Sequence, residues 1–590
     1  MLPWQNIAEP HRTSTFALGT GAEQSGVDVH WNIDGAARTG ATVEHTFNST
    51  GQKAVTVTVL SGGNVLSSYV GEVMVKYVRR EIRTLSDADR NKFLDALQTV
   101  YTVSTVEGKD TYGSSYRGIE YYIRKHLYGA ADRSCDHWHD DAGIMTHHVG
   151  FTLEFERNLQ LINPQVSMPY WEYTIDDYEY CVQSGSTTCF EFSIATESPL
   201  FTDTWFGEAS GSGSGHSIRG GRWANLSVLE NARNFSKITN SYGLLRSPWN
   251  TDPTPNVMRH AKVNGGSWEP MVGCSRWDAC FSSESLGDLN NCLNGGTHGP
   301  IHILIGGQWF MNHSILTDSK SPFNGIAGPH LLLTKHMWRY GFLNCPEVCS
   351  SDTPSEHCTC SCPESVRGTS TPYEILAEKT PLMHWVASHS QGTVFYNESN
   401  SKYEIVGYSE SKTEKTWSEL LNALCDPGHV GEMYTSAAPY DPLFWLIHPT
   451  AERMMGWRRY MSIKGWMPLN ETWGYMHSDD TSDLGRVCHW DNVSSTGLPT
   501  CQVDTCPGHG EFDVLPFPDL IETGKMPTNA ELYEFINPLN PELPYTYDSF
   551  TYPQCSAQKI PIGWDKVPSK YLTASSMTST WQLKKQSQVS

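Results

Sequence analysis

Histidines are concentrated in one short stretch of the chain, where four lie within twelve residues: His137, His139, His147 and His148. His148 begins a series of apolar residues at steps of three and four, which is the spacing of one helix face. Such a face packs against a core, so His148 is predicted to point inward and His139 to reach the same place from a loop. The alternative is a single buried histidine bonded to a carbonyl group, and only partners elsewhere in the chain would favour a metal ion.

Two histidines four residues apart form a second motif. His298 and His302 share one face of a predicted helix, so both rings can reach one metal ion. The apolar residues around them predict burial, and two adjacent buried histidines need bonding partners. Gly306 and Gly307 are expected to end this helix.

Two more histidines are predicted to face inward. His126 lies on the apolar stripe of a helix that begins near Tyr116, where a metal ligand and a satisfied core histidine are equally good interpretations. His448 lies in a helix that Asp441 is expected to cap. Pro449 is expected to kink or restart that helix directly after His448.

Six inward-facing histidines point to metal chemistry. Imidazole is a good ligand for copper, zinc, iron and nickel, and no cysteine or carboxylate recurs beside these positions to favour another class. Zinc pairs usually include carboxylates and a bridging water, whereas a copper pair can supply dioxygen with two electrons together. The sequence therefore predicts two copper ions, with three neutral ligands and an open position each, held by His126, His139, His148, His298, His302 and His448.

Charge and composition limit the partners of this 590-residue chain. Its formal net charge of −22 argues against nucleic acids and anionic membranes. No apolar run approaches the length of a transmembrane helix, and the N-terminus lacks the basic and apolar regions of a signal peptide. The oligomeric state is left open.

Cysteines and glycosylation sequons indicate an extracellular protein. The chain has 16 cysteines, five of them between Cys345 and Cys362, which are expected to form disulfides. A zinc site at Cys358, Cys360 and Cys362 is the alternative, although this spacing fits zinc poorly. We predict a secreted glycoprotein whose signal was removed or lies outside this sequence. The sequons are Asn48, Asn225, Asn234, Asn312, Asn397, Asn470 and Asn492.

The chain divides into several segments by pattern. Residues 10 to about 78 contain alternating segments at 27–33, 54–60 and 68–77, which predict a small β-sandwich. A helical pattern begins at Arg79, with Ser86 as a helix cap. Residues 178–296 are predicted to form long loops pinned by disulfides. Residues from about 308 to 435 form a large insertion, and a polar tail covers 556–590.

These motifs together resemble the tyrosinase family of type 3 copper proteins, which includes catechol oxidases and molluscan haemocyanins. The resemblance covers about residues 79 to 555. It rests on the segments His139–Arg157, His298–Gly307, Asp441–Arg453, Arg79–Leu85 and Tyr545–Tyr547. The segment from Trp31 to Val59 resembles immunoglobulin-like domains of the PKD type.

The resemblance implies a mainly α fold with long loops and a central antiparallel four-helix bundle carrying a dicopper site. His126, His139 and His148 would hold one copper ion, and His298, His302 and His448 the other. The implied domains are a β-sandwich at residues 1–78 and a tyrosinase-like domain at residues 79–555, which is followed by the polar tail.

Several residues depart from the family pattern. Gly299 stands where many tyrosinases carry an asparagine that helps to deprotonate a monophenol, so a Gly299→Asn variant is expected to raise the monophenol to diphenol rate ratio. His137 occupies the position of a cysteine that forms a thioether with histidine in many members. Glu452 replaces an aspartate, Val149 replaces the arginine of the first motif, and His429 in the insertion is a reserve metal ligand.

The predicted function is a secreted dicopper phenol oxidase, an oxidoreductase that converts catechols to o-quinones with dioxygen. Monooxygenase activity on monophenols is left open. One alternative is a haemocyanin-like oxygen carrier, which needs the same copper pair without substrate access. A copper-free structural matrix protein is the other alternative, which the presence of all six histidines disfavours.

Overall fold

The computed structural model describes most of the chain. The described residues are 4, 6–18, 27–131, 133, 136–139, 143–186, 189–211, 213, 215–263, 271–311, 313–380, 382–390, 392–473, 486–493, 499–503, 510–569 and 584–585. Cys135, the sequon residue Asn312 and most of the predicted tail lie outside them. Within them, no helix is both long and apolar enough to cross a membrane.

The N-terminal segment forms two β-sheets, as its alternating pattern predicts. One sheet has the strand order β1-β7-β6-β3-β4, and β2 pairs with β5 in the other. Inward residues of both sheets, including Phe16, Trp31 and Val57, share one apolar core. The PKD-type resemblance stays a prediction. The strands are β1 (Ile7–Ala8), β2 (Thr13–Ala17), β3 (Asp28–Ile33), β4 (Ala36–Thr39), β5 (Thr42–Thr46), β6 (Gly51–Ser61) and β7 (Asn64–Val75).

A second, much larger apolar core begins at Tyr77 and extends to Val567. Its first strand, β8 (Tyr77–Arg79), pairs in parallel with a strand near the end of the chain. The further strands are short and lie in hairpins or pairs. They are β9 (Gln308–Trp309), β10 (Val394–Asn397), β11 (Lys402–Ile405), β12 (His429–Val430), β13 (Arg486–Val493), β14 (Pro499–Val503) and β15 (Tyr545–Tyr547). The last described strand, β16 (Lys584–Lys585), instead joins the first N-terminal sheet by pairing with β7.

The larger core is built mainly of helices joined by long loops. The α-helices are α1 (Asp87–Thr102), α2 (Thr105–Tyr112), α3 (Ile119–Ala130), α4 (His147–Ile162), α5 (Tyr173–Asp176), α6 (Ala195–Glu197), α7 (Cys274–Phe281), α8 (Leu286–Asn291), α9 (Gly299–Gly306), α10 (Ser314–Thr317), α11 (His330–Arg339), α12 (Glu364–Arg367), α13 (Leu382–His389), α14 (Glu410–Leu424), α15 (Phe444–Ile463), α16 (Asn529–Phe535) and α17 (Pro553–Ala557).

Helical segments of other types interrupt or extend these helices. Four π-helical segments lie at Asp177–Val182, Phe190–Ile194, Cys292–His298 and Glu374–Glu378. Short 3-10 helices lie at Ile82–Thr84, Pro199–Phe201, Gly221–Trp223, Ala232–Asn234, Asn324–Ile326, Ser355–His357, Glu432–Tyr434, Ala438–Tyr440 and Gly563–Lys566.

Helices α4 and α15 pack against each other in the middle of the larger core, and α1 packs on α4. Helix α1 begins as predicted, with Ser86 accepting a hydrogen bond from the backbone N–H of Asp89. The π-helix at 292–298, which leads into α9, also packs against α15. Helices α4, α9 and α15 and this π-helix carry four of the six candidate ligands, and the four-helix bundle itself stays a prediction.

A buried arginine joins α4 to α15. The guanidinium of Arg79 lies 2.6 Å from a carboxylate oxygen of Glu156 on α4 and 2.6 Å from one of Glu452 on α15. It also donates to the hydroxyl of Tyr547 at 3.2 Å and lies over the ring of Tyr545, 3.4 Å from its centroid. The cation of Arg79 therefore holds α4 and α15 in register and ties both helices to β8 and β15, the first and last strands of the larger core.

In the cysteine-rich insertion, Cys358, Cys360 and Cys362 each form a disulfide, so the alternative of a zinc site at these residues was wrong. The described cysteines form six bridges, and three of them lie in the insertion: Cys345–Cys360, Cys349–Cys358 and Cys362–Cys425. Two of the remaining bridges, Cys181–Cys189 and Cys280–Cys292, lie within residues 178–296 as predicted. The third, Cys274–Cys555, was not predicted and joins this region to the end of the larger core.

Two boundary predictions were wrong, and the prediction for Asp441 was confirmed only in part. Helix α15 continues through Pro449, because its buried packing outweighs the one hydrogen bond that proline removes. Helix α15 begins only at Phe444, although Asp441 does accept a hydrogen bond from the backbone N–H of Leu443 at 3.0 Å, as a cap would, and its carboxylate is also paired with Arg259. The polar tail does not begin at residue 556, since Ile562 and Val567 are buried in the larger core.

Candidate metal centre

Three of the predicted ligands meet at one point. His126 on α3, His139 in the loop before α4 and His148 on α4 place ring nitrogens within 4.8 Å of one another. Their ring centroids are 5.3 to 5.6 Å apart. The Nε2 atoms of His126 and His148 are buried and have no hydrogen-bond partner, which is costly without a ligand. We refer to these three residues as the first triad.

The other three predicted ligands form a second triad of His298, His302 and His448, with ring nitrogens also within 4.8 Å of one another. His298 ends the π-helix, His302 lies on α9 and His448 on α15. The Nε2 atom of His298 lies 2.8 Å from the Nε2 atoms of both His302 and His448. One ring proton can satisfy only one of these two contacts, whereas a cation between the three nitrogens would satisfy both.

The opposite nitrogen of most of these rings is bonded to the backbone. The Nδ1–H groups of four rings donate to carbonyl oxygens: His126 to Ser436 at 2.7 Å, His148 to Gly143 at 3.3 Å, His302 to Met433 at 2.8 Å and His448 to Phe444 at 2.7 Å. This arrangement fixes the tautomer in which Nε2 carries the free electron pair. The rings are thus oriented to hold a metal ion before one binds.

Burial keeps four of the rings uncharged. It lowers the pKa of His126, His148, His298 and His448 well below the usual value, and the neighbouring histidines lower it further. Neutral imidazole is the form that binds metals.

The two triads lie face to face. The rings of His148 and His448 stack with centroids 4.5 Å apart and an interplanar angle of 6°. Phe444 touches rings of both triads, with its centroid 4.0 Å from that of His448 and 5.5 Å from that of His126. Two ions held here would be close neighbours with an apolar wall beside them.

Residues 113–324 match the common central domain of tyrosinase. We refer to them as the tyrosinase-like segment. It contains five of the six clustered histidines, and His448 lies beyond it.

Two solved structures of the tyrosinase from Burkholderia thailandensis are similar to this chain at 15% sequence identity. The structure at high pH aligns over 82% of this chain and 76% of its own, with a TM-score of 0.30. The structure at low pH aligns over 81% and 77%, also with a TM-score of 0.30. A comparison with curated proteins gave no match.

His429, the reserve ligand, belongs to neither triad. It lies on β12 opposite Trp309, and its Nδ1 is 2.9 Å from a carboxylate oxygen of Asp252. The pairing of β12 with β9 places the His429 side chain at the surface of the insertion, away from the two triads.

Two residues beside the first triad were not identified from the sequence. Trp138 is fully buried and stacks on His126 with centroids 5.0 Å apart. The carboxylate of Asp136 lies 2.9 and 3.0 Å from the Nδ1 atom of His139, so that this ring is also held on the side away from the triad. The signal available in the sequence was the position of an aspartate three residues before a candidate ligand.

Gly299 follows the first ligand of the second triad in the tyrosinase-like segment and has no space for a side chain. A Cβ atom built there would lie 2.7 Å from the backbone carbonyl oxygen of Asn294, because the π-helix brings that carbonyl close. The sequence did not reveal this contact, and the expected effect of Gly299→Asn on the monophenol to diphenol rate ratio stays a prediction. The substitution would also displace the backbone next to His298.

We expect Gly299→Ala to destabilise the protein by about 1–3 kcal/mol, since even a methyl group overpacks this site. Thermal unfolding measures the effect. Gly295→Ala is a matched control in the same π-helix, because a Cβ atom at Gly295 meets nothing within 4 Å. Equal midpoints for the two variants would contradict the steric argument.

Proposed function

We propose that this protein is a dicopper oxidase of the tyrosinase family, with one copper ion on each histidine triad. The observation that carries the proposal is the convergence of ring nitrogens in two adjacent triads, in which five of the six Nδ1 atoms are already bonded elsewhere. The match of the tyrosinase-like segment to the central domain of tyrosinase supports the family assignment.

The donor set favours copper over zinc. Among the described residues, only these two groups of three or more potential ligands come together, and both consist of histidine alone. Hydrolytic zinc pairs usually contain carboxylates, which neither triad offers. When bound, a copper pair exchanges two electrons at a time between a phenolic substrate and dioxygen.

The residues of the chain have three tasks in this proposal. The backbone carbonyls and Asp136 orient the imidazoles, and the buried Phe444 excludes water from the side of both triads. His139 and His302 are the two ligands that remain partly exposed, so a phenol would approach between them. Two catechols would together give four electrons and four protons to one dioxygen, yielding two o-quinones and two waters.

The location and domain organisation are part of the same proposal. The separate cores support a β-sandwich domain ending near residue 78, followed by a catalytic domain that carries the insertion. Six disulfides among the described cysteines support secretion, because such bridges persist in oxidising compartments.

Copper analysis combined with oxygen uptake tests the function. We expect two copper ions per chain and oxygen consumption that depends on added catechol. An oxygen carrier would hold two copper ions and bind oxygen reversibly without turnover, and a matrix protein would hold no copper. Either of these results would contradict the proposal.

We expect catechols to be oxidised at least about 10²-fold faster than the matching monophenols. Proton removal by a positioned base contributes about 10²–10⁴-fold, and Gly299 has no side chain to orient a water for that step. Paired initial rates on a catechol and the phenol lacking its second hydroxyl, at equal copper content, measure the ratio. A ratio near one would show that another group supplies this help.

A further inference from the structure

The first triad differs from the second in being held by a charged residue. Among the described residues, Asp136 is the one carboxylate that is hydrogen-bonded to any of the six rings. It is 3% exposed and also accepts hydrogen bonds from the backbone N–H groups of Trp138 at 3.1 Å and His139 at 3.2 Å. The ring and the backbone of His139 are therefore fixed by the same side chain.

The insertion supplies the cations that pair with Asp136. The Nζ atom of Lys335 lies 2.6 Å from Oδ2 of Asp136, and a guanidinium nitrogen of Arg339 lies 3.4 Å from the same oxygen. Both residues are on α11, about two hundred positions further along the chain. A buried carboxylate is costly without such partners, so α11 stabilises Asp136 in its position.

His139 needs this support more than the other ligands of its triad. It lies in a loop rather than on a helix, and its side chain remains 28% exposed. Its backbone carbonyl accepts a hydrogen bond of 2.6 Å from the side chain of Asn294, which comes from the π-helix before the second triad. The orientation of the ring itself, however, depends on Asp136.

We propose that Asp136 is a positioning residue that orients His139 for the metal ion of the first triad, and that Lys335 and Arg339 of the insertion hold Asp136 in place. The inference rests on the proposed function for the identity of the metal. On this inference the insertion controls metal affinity at the first triad and not at the neighbouring second triad.

Stepwise removal of copper from the loaded protein by a competing chelator tests this inference. We expect Asp136→Asn to weaken the first triad about 10–100-fold, the usual cost of losing a residue that orients a metal ligand, and to change the second triad less than about twofold. Chains that retain a single Cu(II) ion carry an unpaired electron, so electron paramagnetic resonance counts them during the titration.

A second set of variants tests the contribution of the insertion. Lys335→Met is expected to weaken the same position by a smaller factor, and Lys335→Arg is expected to restore most of the affinity because it keeps a cationic donor. Lys415→Met is the matched control, since Lys415 lies in the same insertion and its side chain is 78% exposed. The Lys335 variants still test the inference if Asp136→Asn fails to fold.

If Asp136→Asn weakens metal binding equally at both triads, or at neither, the inference is overturned. Its failure is distinguishable from that of the proposed function. If the unchanged protein binds no copper, the function is wrong, and the same titration with zinc still compares the two triads. If the unchanged protein binds two copper ions and oxidises catechol while Asp136→Asn releases both ions normally, only the inference is wrong.

Discussion

Alanine in place of His302 leaves the purified chain with one copper ion where the unchanged chain is expected to hold two. The substitution removes a ring whose Nε2 lies 2.8 Å from that of His298, leaving two imidazoles, which hold a copper ion poorly. Catechol oxidation should fall by about 10³-fold or more, because losing one metal ion costs several kcal/mol and each 1.4 kcal/mol is a factor of ten. His148→Ala is expected to have the same effect through the first triad.

Elemental analysis and oxygen uptake measure the two effects in one sample. His330→Ala is the control for losing a buried imidazole, since His330 is fully buried and its Nε2 is 2.8 Å from the carbonyl oxygen of Ala423. This control should lose stability and keep both copper ions. A His302→Ala protein that still holds two copper ions, or an unchanged protein with one zinc ion, would contradict the ligand assignment.

Replacing Arg79 by methionine should destabilise the protein by about 3–5 kcal/mol. The substitution leaves the carboxylates of Glu156 and Glu452 buried without their shared cation, and unpaired buried charges cost this much. The shift of the urea midpoint, followed by tryptophan fluorescence, measures the loss. Copper content should also fall, because Glu156 shares α4 with His148 and Glu452 shares α15 with His448.

The effect of Arg79→Met should depend on pH in a defined direction. Burial already raises the pKa of Glu452, and without Arg79 the main opposing charge is gone. A carboxyl group whose pKa is raised by folding adds stability at low pH and loses it as pH rises. The deficit should therefore shrink between pH 7 and about pH 5. Lys525→Met, which removes an exposed ion pair with Glu522, is the control and should leave the urea midpoint nearly unchanged at any pH.

Residue spacing in the sequence predicted that candidate ligands such as His148 face inward, whereas their division between two metal ions came from the family resemblance. Steps of three and four residues place side chains on one helix face, and this local rule applies to His148 on α4. The cap at Ser86 and the alternating strands of the first sheet follow from equally local chemistry. In these cases the residues that decide the structure are neighbours in the chain.

Long-range partners could not be predicted in this way. Asp136 became recognisable only when the fold placed Lys335 beside it, and no pattern in one sequence reports that contact. The carbonyl groups of Met433 and Ser436, which orient His302 and His126, belong to the backbone and carry no residue-type signal. Main-chain geometry also explains the miss at Gly299, where the π-helix decides the available space.

The parallel pairing of β8 with β15 has a consequence for how the chain folds while it is being synthesised on the ribosome. It joins Tyr77–Arg79 to Tyr545–Tyr547, so the strand that opens the larger core has no partner until nearly the whole chain has emerged. Contacts so far apart in sequence are slow to form, and the exposed apolar surface invites aggregation in the meantime. The N-terminal sheets can form most of their pairings early, whereas the first strand of the larger core stays unpaired until β15 has been synthesised.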